Sequence, residues 1–170
     1  MHTVMKWDYK TKDGRIVGHV VRLEGDTEPG SLKPRKQVIP YFKENGQSGI
    51  PEGLPSEHRI FGLESISDYA NPVFIVEGEK CAYALHGLGL QAVTSLSGSG
   101  QANLADWSAI ENAERVYILP DHDEPGVKYA YNVFRKIKAF KNLTEVSLLR
   151  FPIGEGADVC DYLKIGRAHV

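Results

Sequence analysis

The sequence predicts an α/β fold, a parallel sheet with flanking helices preceded by a small strand-rich basic lobe, on three observations. From Pro72 onward, short apolar runs alternate with segments of helical period, the pattern of strands joined by helical crossovers. Residues 1 to about 70 have another texture, rich in Gly, Pro and charge, with strand-like pieces between turns and no convincing helix. The chain of 170 residues is 42% hydrophobic and 25% charged, ordinary for a globular protein and long enough for one compact domain with a smaller appendage.

In the first half, Met5 to Tyr9, Arg15 to Leu23 and Gln37 to Phe42 read as strands. Asp13-Gly14 is a strong turn signal and makes the first two a hairpin. Residues 25–34 and 44–57 are loops by composition. In the second half, Val73 to Val76, Gln91 to Leu96, Val116 to Leu119 and Val146 to Leu149 read as strands. Helical pattern runs through Glu79 to Leu88, Asn103 to Ile110, about Val127 to Phe140, and Asp158 to Lys164. Such alternation calls for right-handed crossovers.

Composition also narrows the function classes. The net charge of −2 gives no global basic field, although it leaves room for a local basic patch. Cys81 and Cys160 have no C-x-x-C spacing and no His cluster nearby, so neither a structural zinc site nor a disulfide framework is predicted. No run of apolar residues reaches membrane-spanning length, and the first residues lack the apolar core of a signal peptide. The expectation is a soluble, cytoplasmic protein without membrane contact. Ile165 to Val170, IGRAHV, resembles the translation of a DNA-sequencing adapter and is expected to be a non-native tail.

The chemistry lies at two strand ends. In VYILPDHDEPG an apolar run stops at Pro120, and Asp121 and Asp123 follow just past the carboxyl end, where open α/β sheets bind ligands. Two like charges about 6–7 Å apart along an extended backbone repel unless a cation sits between them. By itself the stretch reads more readily as a solvated turn than as a metal site. FIVEGEKCAYAL repeats the grammar: a strand, then Glu77, then Gly78 and a helix. Parallel strands present their carboxyl ends on one edge, so Glu77 can converge with Asp121 and Asp123 into an oxygen-ligand site suited to magnesium or manganese. Glu79 reads as a helix N-terminal charge, whereas Lys80 reads either as that or as a phosphate contact.

These motifs resemble the Toprim domain, a Rossmann-like fold shared by bacterial and phage primases, topoisomerases and certain nucleases. VEGEK, GLGLQAVTSLSGSG and ILPDHDEPG carry the resemblance over roughly residues 72 to 164. The family's glutamate falls on Glu77 and its D-x-D pair on Asp121 and Asp123, while GADVCDYL suggests Asp158 as a fourth acid. Cys81 stands where phage and plasmid primase-helicases have Asp. Asp161 reads as a cap or a solvent-facing residue.

GRIVGHVVRLEG, KPRKQVIPYF and IFGLESI resemble the basic lobe that precedes Toprim in bacterial-type primases. Arg22 falls on the Arg ending the first motif, and Lys33, Arg35 or Lys36 near the Lys of the second. Lys33 to Lys36 is the dense basic cluster of the chain, suited to template or nucleotide phosphates, although a solvated basic loop reads equally well. No Cys/His zinc-binding module precedes the lobe, so the chain is expected to begin mid-protein or to belong to a lineage without one. The resemblance implies RNA-primer synthesis from nucleoside triphosphates on single-stranded DNA, with Mg2+ or Mn2+ as cofactor and a replicative helicase, fused or separate, as partner. A Toprim nuclease and a non-catalytic DNA-binding module are the alternatives. Gly98-Ser99-Gly100 reads as a plain loop, His86 and His122 as surface residues, and Tyr117, Tyr129 and Tyr131 as packing residues.

Overall fold

The predicted hairpin opens the chain. In a computed structural model, β1 (His2–Lys10) and β2 (Ile16–Thr27) pair antiparallel. Their turn is closed by the Thr11 N–H donating to the Arg15 carbonyl at 2.9 Å. β3 (Pro34–Tyr41) adds to β2, giving a three-stranded sheet in the order β1-β2-β3. The structure describes residues 1–27, 29, 34–152, 154 and 156–167, the side chains of 165–167 excepted. Lys33 and residues 168–170 of the expected tail therefore lie outside the described residues.

The second sheet has five strands in the order β4-β6-β5-β7-β8. β5 (Val73–Val76), β6 (Gln91–Ser95), β7 (Arg115–Leu119) and β8 (Glu145–Leu148) run parallel, as predicted. The helices are α1 (Glu79–His86), α2 (Glu124–Ile137) and α3 (Val159–Arg167). Three details differ from the sequence expectation. β4 (Ile60–Phe61) pairs antiparallel with β6, and two residues are too few to show a period. Asn103 to Ile110 is not one helix but two 3-10 turns, Ala102–Leu104 and Trp107–Ile110. Asp106 between them is extended and accepts from the Ser108 N–H, restarting the turn instead of continuing it. α2 starts at Glu124 because Asp123 caps it, accepting from the Gly126 N–H at 2.8 Å, with Pro125 in the first turn where no N–H is needed.

The sheet has a core on each face, and the two-residue period of its strands sorts the side chains. Val73, Ile75, Val116 and Ile118 pack with Tyr129, Val133 and Ile137 of α2 and with Trp107 and Ile110. Val76 and Leu119 turn to the other face, against Ala82 and Leu85 of α1 and Val159 of α3. Trp7, Tyr9, Val20 and Phe42 of the first sheet close that second core. The three-stranded sheet is thus docked through apolar contact. Inside the contact the Tyr9 hydroxyl donates to Glu79 Oε1 at 2.7 Å. Glu79 is only 8% exposed, so it is a buried acid and not merely a helix-end charge. Burial pushes its proton affinity up, against the lowering effect of the Tyr9 hydroxyl. Among the described residues no helix is long and apolar enough to cross a membrane.

Tyr9→Phe removes the hydroxyl and leaves a buried carboxyl without that partner. Denaturant unfolding should show a loss of about 1–3 kcal/mol, the usual cost of a stranded buried polar group. An unchanged midpoint would mean that the bond does not hold the two sheets together.

Candidate functional site

β5 and β7 are neighbours with Val76 level with Leu119, so the residues after them leave the sheet at one edge. Glu77 and Asp121 emerge there together. Gly78, at φ +104°, takes a backbone conformation that L side chains rarely adopt and lets the chain swing from β5 into α1. The turn is tied down from beneath. The Gly78 N–H donates to Thr94 Oγ1 at 2.9 Å, and the buried Tyr129 hydroxyl donates to the Val76 carbonyl at 2.9 Å. On the α2 side, a Cβ on Gly126 would stand 2.2 Å from the Asp121 carbonyl oxygen. Glycine is therefore required in DHDEPG by close approach.

Asp158 joins the same edge through a backbone clasp. The His122 N–H donates to the Ala157 carbonyl at 3.0 Å, and the Gly156 N–H donates to the His122 carbonyl at 2.9 Å. Asp158 then caps α3 reciprocally with Asp161: each carboxylate accepts from the other's N–H, at 3.0 and 3.2 Å. Its second oxygen accepts from the Lys80 ammonium. Burial works against that ammonium, but the Asp158 carboxylate outweighs it and raises the Lys80 pKa above its ordinary value.

The electrostatics record the crowding. Burial, then the charges of Glu77, Asp158 and Asp123, push Asp121 up to about 7, with Lys80 opposing. Burial also raises Glu77; the neighbouring Ser99 lowers it, and Asp123 adds to the rise. Glu77 Oε2 is buried and has no hydrogen-bond partner among the described residues. An orphaned carboxylate oxygen beside an acid whose proton affinity is raised by burial first and by neighbouring charge second fits a hard divalent cation held by Glu77, Asp121 and Asp123. The oxygens of these three are not all within 4.8 Å of one another. Among the described residues the group that meets that spacing is Cys81, Asp158 and Cys160.

Of the other predicted site residues, Lys80 reaches the acid edge but is engaged by Asp158. Arg22 is engaged by Glu24, whose Oε1 accepts from its Nη2 at 2.6 Å and its Nε at 2.9 Å. Arg35 and Lys36 are exposed on β3, with Lys36 opposite Glu24 in the ladder. Sequence reasoning missed Thr94 and Ser99, and saw Tyr129 only as packing. The available signal was chemical, since a buried tyrosine hydroxyl requires a partner.

No family model matches the chain, and no curated protein sequence does. Solved structures do. The primase fragment of the bacteriophage T7 primase-helicase superposes with a TM-score of 0.63 at 17% identity, over 95% of this chain and 58% of that one. The fold is that of a DNA primase domain. The Aquifex aeolicus primase, in its zinc-binding and RNA polymerase domains, superposes with a TM-score of 0.57 at 23% identity, over 93% and 36%. A DnaG primase catalytic domain solved bound to single-stranded DNA gives 0.60 at 19%, over 94% and 48%. The chain thus spans between about a third and three fifths of these primases.

The raised pKa of Asp121 fixes the sign of a pH effect. An acid that holds its proton more tightly folded than unfolded adds stability that is full below the unfolded value, near 4, and lost as pH rises through about 7. Without divalent cations, the melting temperature should therefore fall between about pH 4 and 7 more steeply in the wild type than in Asp121→Asn. Parallel profiles for the two proteins would show that Asp121 is not the crowded group.

Proposed function

We propose that the chain is the nucleotidyl-transfer module of a DNA primase, joining ribonucleoside triphosphates into primers on single-stranded DNA. The observation that carries this reading is that Glu77 and Asp121 leave neighbouring parallel strands at one edge, where burial and then the charges of Glu77, Asp158 and Asp123 push Asp121 up to about 7. The primase fold and the single-stranded DNA bound by one of its neighbours support it. Glu77, Asp121 and Asp123 would hold magnesium or manganese, which supplies charge neutralisation for a triphosphate and its leaving pyrophosphate. The chain's own part is to orient. The Gly78 turn and the Tyr129 bond place Glu77, the Asp123 cap fixes the start of α2, and the Lys80 ammonium holds the Asp158 carboxylate. Arg35 and Lys36 on β3 would follow the template phosphates, and a replicative helicase, fused or separate, is the partner such a module would serve.

Primer synthesis with labelled ribonucleotides on single-stranded DNA is the direct test. Glu77→Gln and Asp121→Asn should each reduce the product at least about a hundredfold, since a metal's share of charge stabilisation is worth several kcal/mol. Millimolar Mg2+ should raise the melting temperature of the wild type and leave that of Asp121→Asn unmoved. Strand cleavage in place of primer synthesis, or an equal Mg2+ response in both proteins, would overturn the reading.

Replacing Arg35 and Lys36 by alanine should weaken single-stranded DNA binding and flatten its salt dependence by roughly 0.7 logarithmic units per lost phosphate contact. Unchanged affinity and slope would make β3 a scaffold strand.

A further inference from the structure

Where α1 packs on α3, two cysteines 79 residues apart in sequence bring their sulfurs to 3.6 Å. Asp158, at the start of α3, directs its carboxylate to the same place. One ligand atom from each of Cys81, Asp158 and Cys160 lies within 4.8 Å of the other two. We propose that Cys81, Cys160 and Asp158 form a second metal site, distinct in its ligands from the Glu77–Asp121–Asp123 set and adjoining it at Asp158, for a thiophilic divalent cation of the zinc class with water as fourth ligand.

The spacing suits that cation. Zinc–sulfur bonds of about 2.3 Å at a tetrahedral angle put two sulfurs about 3.8 Å apart, close to the separation present without any metal. The ligand set is soft where the acid edge is hard: thiolates select zinc-class ions, and carboxylates alone favour magnesium or manganese. Both cysteines are free and buried, at 2% and 8% exposure, so their sulfurs are shielded from competing ligands. A way in exists, because Cys160 and Lys80 line a largely apolar cavity of about 390 Å³ with Met5, Tyr83 and Leu163. Asp158 already holds a positive charge there, the Lys80 ammonium. On binding, each thiol gives its proton to solvent, the cation takes both sulfurs and the Asp158 oxygen, and the Lys80 side chain swings away on its flexible stem. The site would pin α3 to α1.

Cobalt(II) added to the reduced full chain is the probe. The expected result is a thiolate-to-cobalt charge-transfer band with intense tetrahedral ligand-field absorption, saturating at a single cobalt per chain. Zinc should abolish the band and raise the melting temperature, while excess Mg2+ should do neither. Cys81→Ser and Cys160→Ser should each lose the band, with Glu77→Gln retaining it. If either serine variant proves unfolded by circular dichroism, Asp158→Asn decides instead, with cobalt affinity falling tenfold or more. A folded, reduced wild type with no charge-transfer band overturns the proposal. So does a band that survives in Cys160→Ser, one unaffected in affinity by Asp158→Asn, or one that Mg2+ displaces.

Discussion

The candidate site depends on the register between β5 and β7. A slip of one residue would exchange the two faces of a strand, sending Val73 and Ile75 toward the core that now holds Val76. Each of these side chains is fully buried, and each such burial contributes roughly 1.5–3 kcal/mol. Packing therefore sets the register, and the register sets where Glu77 and Asp121 emerge. The acids did not choose their position by mutual attraction. They are held together against repulsion by a hydrophobic core that would be broken by moving them apart, which is the usual way a functional cluster is sustained.

The same logic explains what could be read in the sequence. Strand ends are written as an abrupt stop in an apolar run, so Val73–Val76 and Arg115–Leu119 and the acids after them were legible. So were α1 and the hairpin at Asp13-Gly14. What escaped was set by tertiary contact. β4 is two residues long and exists because β6 offers an edge. Pro125 and Gly126 mark the opening of α2, but its helical period is clear only from about Val127; the start at Glu124 is set by the Asp123 cap, a side chain that reads equally as a metal acid. Glu79 gave no hint of burial, since its partner Tyr9 lies 70 residues away on another sheet. The cysteine rule is blind to this kind of proximity. It tests local spacing, whereas Cys81 and Cys160 meet only when two helices pack.

The basic lobe is bound to the acid edge by more than proximity. Its Tyr9 reaches into the first turn of α1, at Glu79, two residues beyond Glu77 and next to Lys80. Trp7, Val20 and Phe42 fill the core beneath that turn. Displacement of the lobe would expose those apolar side chains and strand a buried carboxyl, so the lobe and the acid edge are built to hold one relative position.

Within the acid edge the carboxylates are held in two different ways. Asp123 and Asp158 each sit at a helix N-terminus and spend an oxygen on a backbone N–H, Asp123 on Gly126 and Asp158 on Asp161. The positive end of the helix steadies a carboxylate there without any cation. Glu77 and Asp121 have no helix cap, and burial with the surrounding negative charge raises both. Charge is thus least compensated between the end of β5 and the end of β7, where Glu77 Oε2 has no partner. On the reading proposed above, a cation entering this edge would be drawn to those two acids first and would meet Asp123 already fixed in place by the helix it begins.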